Sequence, residues 1–365
     1  MSGRGKRAVA RLEHALDAAR LRRRIDRPAE HLRVVAYLGH GSAGRALVRG
    51  RVLDNREPSP VTAGESAWAA AGRTVSGFLT VELPGVPLHV EVGGVRVATT
   101  TDGEGYFDVE VGSAAEPVAL VAPWTTARVT LAEPHRGVHP GDPGATAEAL
   151  VRVPAAGAAY GVISDVDDTV LQTGVQRTWS MLLQTFTGSA LTRTPFAGAA
   201  ELYRHLEGSA GNPFFYVSSS PWNLHEFLLG FLEHRGFPAG PLLLRDLVGD
   251  GRSGTHQHKR QRIEEILALH PELPFVLVGD SGEHDPEIYA DVVRRHPGRV
   301  LAVYIREVRL DPGDGRVEAV TDAWDHEVPF VLAADSAAVA RHAAELGLLA
   351  PDEVAEVEQA VRAET

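Results

Sequence analysis

The chain has 365 residues, 44% hydrophobic and 23% charged, a balance that excludes a disordered or fibrous polypeptide and is enough to fill two hydrophobic cores. It contains no cysteine, which rules out disulfides, thiolate zinc sites, iron–sulfur clusters and a cysteine nucleophile, leaving any metal to oxygen or imidazole ligands. The net charge is −12, yet residues 1–27 hold nine Arg or Lys against Glu13, Asp17 and Asp26, so they carry +6 and the remainder −18, a field that should repel nucleic acid.

The first expected unit is a basic helical segment, residues 1–28. From 6 to 26, Val9, Leu12, Leu16, Ala19 and Arg23 fall near one helical face and basic residues cover the others. Two uses stay open for it: a thin apolar stripe packed on the body, or an element lying on an anionic membrane surface. No apolar h-region precedes Arg20 and no later run approaches 18 apolar residues, so the expected location is cytoplasmic, with peripheral contact at a membrane surface through this helix as the variant.

Residues 30–150 read as a small all-β sandwich with its linker. Short alternating runs at 32–38, 46–53, 86–92 and 106–111 are punctuated by Gly, Pro and Asp. The stretch 95–111, with Asp102-Gly103 between two strands, resembles the hairpin of transthyretin-like or carboxypeptidase-regulatory-like modules. Residues 132–157, rich in Pro, Gly, His and Ala, read as an interdomain connection.

From 155 to 349 the pattern changes again. Apolar runs at 160–164, 214–218, 242–244, 275–279 and 300–305 alternate with helical patterns at 198–207, 222–235, 259–269, 286–296 and 335–346, and 350–365 reads as a helical tail. Such alternation predicts a parallel sheet covered on both faces, with ligands bound beyond the carboxyl ends of the strands.

The strand ends carry the chemistry. The first closes on Asp165-Val166-Asp167-Asp168-Thr169, three carboxylates whose mutual repulsion a divalent cation would relieve, although Asp-rich turns also cap helices. The second closes on Ser218-Ser219-Ser220-Pro221 before a helix, where hydroxyls and amides can cap the helix or hold an anion. Lys259 opens the next predicted helix, a position where the helix dipole disfavours a cation unless an anion lies near. The fourth closes on Gly279-Asp280-Ser281-Gly282-Glu283-His284-Asp285, and its oxygen ligands point to Mg²⁺; His256, His258 and His284 match no zinc-ligand spacing.

In this order, Asp-x-Asp-x-Thr, a strand-terminal Ser, a Lys and Gly-Asp-x-x-x-x-Asp resemble the four motifs of haloacid dehalogenase superfamily phosphatases. The segments 164–169, 217–224 and 279–289 are more specifically similar to the catalytic domain of the actin-patch-protein type of phosphatidate phosphatase, over about 160–349. The resemblance implies a three-layer α/β, Rossmann-like haloacid dehalogenase domain.

It also implies roles. Asp165 would attack phosphorus, and Asp167 would protonate the leaving oxygen and then activate water, as a two-step hydrolysis requires. Mg²⁺ would be held by Asp165, the carbonyl of Asp167 and Asp280, with Asp285 as a further ligand or as an organiser of the others, while Ser218 and Lys259 bind the phosphoryl oxygens, with Ser219 as the alternative to Ser218. The expected substrate is a phosphate monoester, foremost phosphatidate; a soluble ester and a non-catalytic scaffold with vestigial motifs are the other readings. The short insertions leave no room for a large cap domain, which predicts an open site. Trp179, Met181, Leu182, Leu183, Phe186, Leu191 and Phe196 would either border its entrance or pack as core.

Overall fold

The computed structural model describes residues 31–55, 82–166, 197–245, 255–281, 284–307 and 324–364. The expected basic helix, Asp167, Asp168 and the apolar set from Trp179 to Phe196 lie outside the described residues.

The first unit contains β1 (Leu32–Ala36), β2 (Gly39–Ser42), β3 (Arg45–Asp54), β4 (Pro87–Val92), β5 (Val95–Thr100), β6 (Tyr106–Val111), β7 (Trp124–Leu131) and β8 (Thr146–Arg152). The two separate sheets expected of a sandwich are here one hydrogen-bonded sheet. The physical reason is the length of β3. Its first residues pair with β2 and its last with β1, while β6 takes the opposite edge. From β2 the sheet continues through β8, β7, β4 and β5, and it rolls until β5 approaches β6. The roll encloses a core that includes Val34, Val48, Val90, Val109, Val129 and Val151.

Two expectations need correction. The segment 95–111 is not a hairpin: β5 pairs with β4 and β6 with β3. The tight turn is instead Gly93-Gly94, both with positive φ (53° and 83°), the backbone that two-residue hairpins demand. Asp102 makes a different turn, its Oδ1 accepting the N–H groups of Glu104 and Tyr106 at 2.8 and 2.9 Å, and so carries the chain across the roll. The connection expected over 132–157 contains β8. Its inward residues are small, and Leu150 faces outward at 44% exposure, so the alternation was masked.

The second unit is three-layered. Strands β9 (Gly161–Asp165), β10 (Phe214–Pro221), β11 (Leu242–Arg245), β12 (Phe275–Asp280), β13 (Val300–Arg306) and β14 (Phe330–Ala333) form a sheet of order β11-β10-β9-β12-β13-β14, parallel throughout. One face packs on α1 (Ala199–Glu207), α2 (His225–His234), α5 (Ser336–Glu345) and α6 (Pro351–Glu364). The other packs on α3 (Thr255–Leu269) and α4 (Asp285–Arg295). Strands β9 and β12 are buried along their whole length, as continuous apolar runs in a doubly covered sheet require. Strand order reverses at β9, so the crevice at its carboxyl end is where this architecture places a ligand.

The two units meet at α2 and α3. The Tyr37 ring stacks on Trp222 with centroids 5.0 Å apart and lies 4.0 Å from the His225 ring. Arg49 joins Asp108 at 2.7 Å to Glu265 at 2.5 Å, and His40 Nδ1 lies 3.0 Å from His270 Nε2. Burial opposes ionisation of Glu265, but contacts with His40 and Arg49 outweigh it and hold its carboxyl far below the usual range. These are the two helices that follow the serine run and carry Lys259.

Candidate active site

Asp165 ends β9, Asp280 ends β12 on the neighbouring strand, and Asp285 opens α4. All three are fully buried, and one carboxylate oxygen from each lies within 4.8 Å of the others. The sequence thus converges here because β9 and β12 are adjacent although 115 residues separate their ends in numbering, from 165 to 280. Asp285 is held by the Asp280 N–H, which donates to its Oδ2 at 3.3 Å, and it sits at a helix start, where the dipole favours an anion.

Lys259, 1% exposed, crosses from α3 and donates to Asp165 Oδ1 at 2.8 Å and Asp285 Oδ1 at 2.5 Å. Helix α3 begins at Thr255, so Lys259 lies in its second turn and not at its opening, as the sequence had suggested. Three carboxylates and one ammonium leave two negative charges in a buried cluster, which one divalent cation would neutralise. Asp165 Oδ2 is also buried without a hydrogen-bond partner among the described residues, a costly state for a carboxylate oxygen. An all-oxygen donor set with an orphaned oxygen fits a hard divalent cation.

Ser218 and Ser219 lie towards the end of β10, one and two positions beyond the Val217–Asp165 pairing. Ser218 is buried and its Oγ accepts the Ser220 N–H at 2.9 Å, while Ser219 is half-buried. Period-two alternation sends their side chains to opposite faces. The structure therefore brings Asp165, Asp280, Asp285, Lys259 and the serine run to one sheet edge; Asp167 is outside the described residues. His258 is buried in α3 and His284 lies 3.7 Å from Glu287, both outside the carboxylate cluster.

Supporting residues escaped the sequence reading. Ser164 Oγ donates to the Asp165 carbonyl at 2.7 Å and accepts from Tyr203, whose hydroxyl is also 2.7 Å away. Tyr289 donates from its hydroxyl to the Val278 carbonyl at 3.0 Å, beneath Asp285. Tyr203 stands in no motif, and Tyr289 closes the segment 279–289 without any role being read for it, so only the fold identifies what the two do. A second group able to hold a metal, Glu201, His205 and Glu356, lies where α1 meets α6.

Residues 160–307 match the family model described as phosphatidate phosphatase APP1, catalytic domain. Phosphatidate phosphatase APP1 of Saccharomyces cerevisiae is 35% identical over 150 residues, which is 40% of this chain and 25% of that protein. An uncharacterized protein of Schizosaccharomyces pombe is 29% identical over 154 residues, 41% of this chain and 25% of its own length. The chain thus spans about a quarter of the curated relatives it matches. Among solved structures, a carbohydrate acetylesterase from Xanthomonas citri aligns over 79% of this chain and 64% of its own with 11% identity and a TM-score of 0.30, too slight a likeness to bear on fold or function. Over residues 160–307 the parallel-sheet unit resembles the catalytic domain of the APP1 type of phosphatidate phosphatase.

Proposed function

We propose that the chain is a metal-dependent phosphoric monoester hydrolase of the haloacid dehalogenase type, acting on phosphatidate through an aspartyl-phosphate on Asp165. The carrying observation is the orphaned Asp165 Oδ2 inside a buried cluster of Asp280, Asp285 and Lys259, within the segment that matches the APP1 catalytic domain. Asp165, Asp280 and Asp285 would hold Mg²⁺, which when bound would offset the charge of the carboxylates and of the phosphoryl group. The Asp165 carboxylate attacks phosphorus, splitting hydrolysis into two steps. Asp167 gives a proton to the departing oxygen and then takes one from water. Lys259 and Ser218 bind the equatorial phosphoryl oxygens, where charge accumulates in the transition state. The Tyr203–Ser164 pair fixes the backbone that aims Asp165.

No helix among the described residues is long and apolar enough to cross a membrane. Access to a lipid phosphate would then be from the surface, with the basic segment 1–28 as the contact. The test is phosphate release by the purified chain with Mg²⁺ from phosphatidate in mixed micelles, set against sugar phosphates and nucleotides at equal concentration. Release should be greatest from phosphatidate, and a phosphoenzyme should be trapped by the wild type but not by Asp165→Asn. Efficient turnover of soluble esters with none of phosphatidate would replace the lipid reading while keeping the mechanism; a phosphoenzyme in Asp165→Asn would end the mechanism.

A further inference from the structure

A cavity of about 30 Å³ opens at the carboxyl edge of the parallel sheet, between α1, the ends of β13 and β14, and the start of α5. That is room for about two or three water-sized groups. Leu202, Val278, Ala333 and Val339 give it apolar walls. The Tyr203, Tyr304 and Asp335 side chains that line it bond within the fold. The Tyr203 hydroxyl serves Ser164 at 2.7 Å, the Tyr304 hydroxyl meets His342 Nδ1 at 3.1 Å, and Asp335 caps α5 by accepting from Ala338 N–H.

Arg306 is the cation of this cavity. It ends β13, is 7% exposed, and stands opposite Asp280 in the β12–β13 register. Neighbouring strands are about 4.8 Å apart, and by alternation Arg306 and Asp280 share the sheet face of Val278 and Tyr304. Lys259 reaches the same edge from α3, on the opposite face. The edge thus carries a buried cation from each side, with the apolar cavity on the Arg306 side.

Resting on the phosphatase reading above, we propose that this cavity receives the first methylenes of a substrate's acyl chain, with the Arg306 guanidinium on the phosphoryl or ester oxygens at its head. The asymmetry orients the ester: phosphorus at Asp165, Lys259 on one flank, and the apolar substituent led past Arg306. The volume admits about two or three methylenes, the remainder of a lipid staying in its membrane. Each methylene that enters should tighten binding by up to about fourfold, and the gain should stop once the cavity is full.

The test uses the full chain and n-alkylphosphonates of increasing length, with binding measured by calorimetry. In the wild type, affinity should climb over about the first two or three carbons and then level off. Ala333→Leu, which fills the cavity, should flatten the climb, and Val339→Ala, which enlarges it, should extend the climb to longer chains. A folding defect would scale every ligand alike and leave the slope unchanged. Arg306→Met should weaken the whole series about tenfold or more at unaltered slope. A wild-type affinity independent of chain length, or a slope untouched by both cavity variants, overturns the proposal. Turnover of p-nitrophenyl phosphate by the wild type is measured alongside, so that a failed phosphatase reading and a failed cavity are told apart.

Discussion

Gly279 lies directly beneath Asp285: a Cβ at position 279 would overlap the carboxylate oxygen Oδ2 and come within 2.7 Å of the Tyr289 ring. Glycine is required there for space, because the buried Asp285 side chain and the Tyr289 ring both sit too close for a methyl group. Gly279→Ala should therefore push Asp285 away from Asp165 and Lys259 while the sheet survives. Displacement of a reacting group by about 1 Å costs on the order of 10²-fold in rate. We expect that loss in kcat/KM, with weaker Mg²⁺ binding and a retained circular dichroism spectrum; near-normal activity would contradict the placement of Asp285 in the site.

Much of this site was legible because strand-terminal motifs need only the right sheet order to meet. Asp165 and Asp280 each end an apolar run, and every predicted strand of the second unit has its counterpart in the sheet. What stayed hidden depends on contacts that no local pattern encodes. Tyr203 and Arg306 look like ordinary core and strand residues until β13 is laid beside β12. The roll of the first unit was likewise invisible, since β3 serves three partners and its pairing with β6 skips over β4 and β5. Strand β14 is short and half-exposed, leaving too little alternation to register.

Lys259 offers a test of charge balance. Removing its ammonium leaves Asp165 and Asp285 facing each other in a buried site, and breaking such a pair costs about 3–5 kcal/mol. Lys259→Met should melt several degrees below the wild type in chelator, and saturating Mg²⁺ should narrow the gap by supplying the missing positive charge. Turnover should stay roughly 10²–10³-fold low even then, since a fixed cation at the phosphoryl oxygens is still lacking. An equal Mg²⁺ stabilisation of wild type and variant would argue against a metal among these carboxylates.

Acid should destabilise the junction between the units. His225 is buried, both ring nitrogens lack hydrogen-bond partners among the described residues, and burial, aided by the Arg51 charge, pushes its pKa down to about 3. Burial likewise lowers His40 and His270. The unfolded chain takes up these protons below about pH 6.5 while the folded chain does not, so stability is level above that pH and falls as the pH drops towards 3. For His225 alone the loss is about 2 kcal/mol at pH 5. Thermal melts from pH 7.5 to 5 should show a decline that His225→Phe reduces, the phenyl ring keeping the stack on Tyr37 without a proton to bind. An identical decline in the variant would assign the acid sensitivity elsewhere.

Tyr37 links the first unit to the turn after the serine run, and two substitutions separate its ring from its hydroxyl. The ring is 2% exposed and stacks on Trp222 at 5.0 Å, four residues beyond Ser218, so Tyr37→Ala opens a cavity exactly where that turn is supported. Loss of a buried aromatic ring costs about 3–5 kcal/mol. The hydroxyl, by contrast, is buried with no partner among the described residues, and burial raises its pKa far above the usual phenol range. Removing an unsatisfied polar group relieves a desolvation penalty, so Tyr37→Phe should be neutral or stabilising by about 1 kcal/mol. If the stack also positions Ser218 for phosphate, Tyr37→Ala should raise KM for a phosphate ester more than it lowers kcat, measured well below its own melting temperature. Tyr37→Phe should leave both near the wild-type values. A Tyr37→Ala enzyme that is less stable but kinetically unchanged would confine the first unit to holding the fold, and a destabilised Tyr37→Phe would mean that the hydroxyl has a partner in solution.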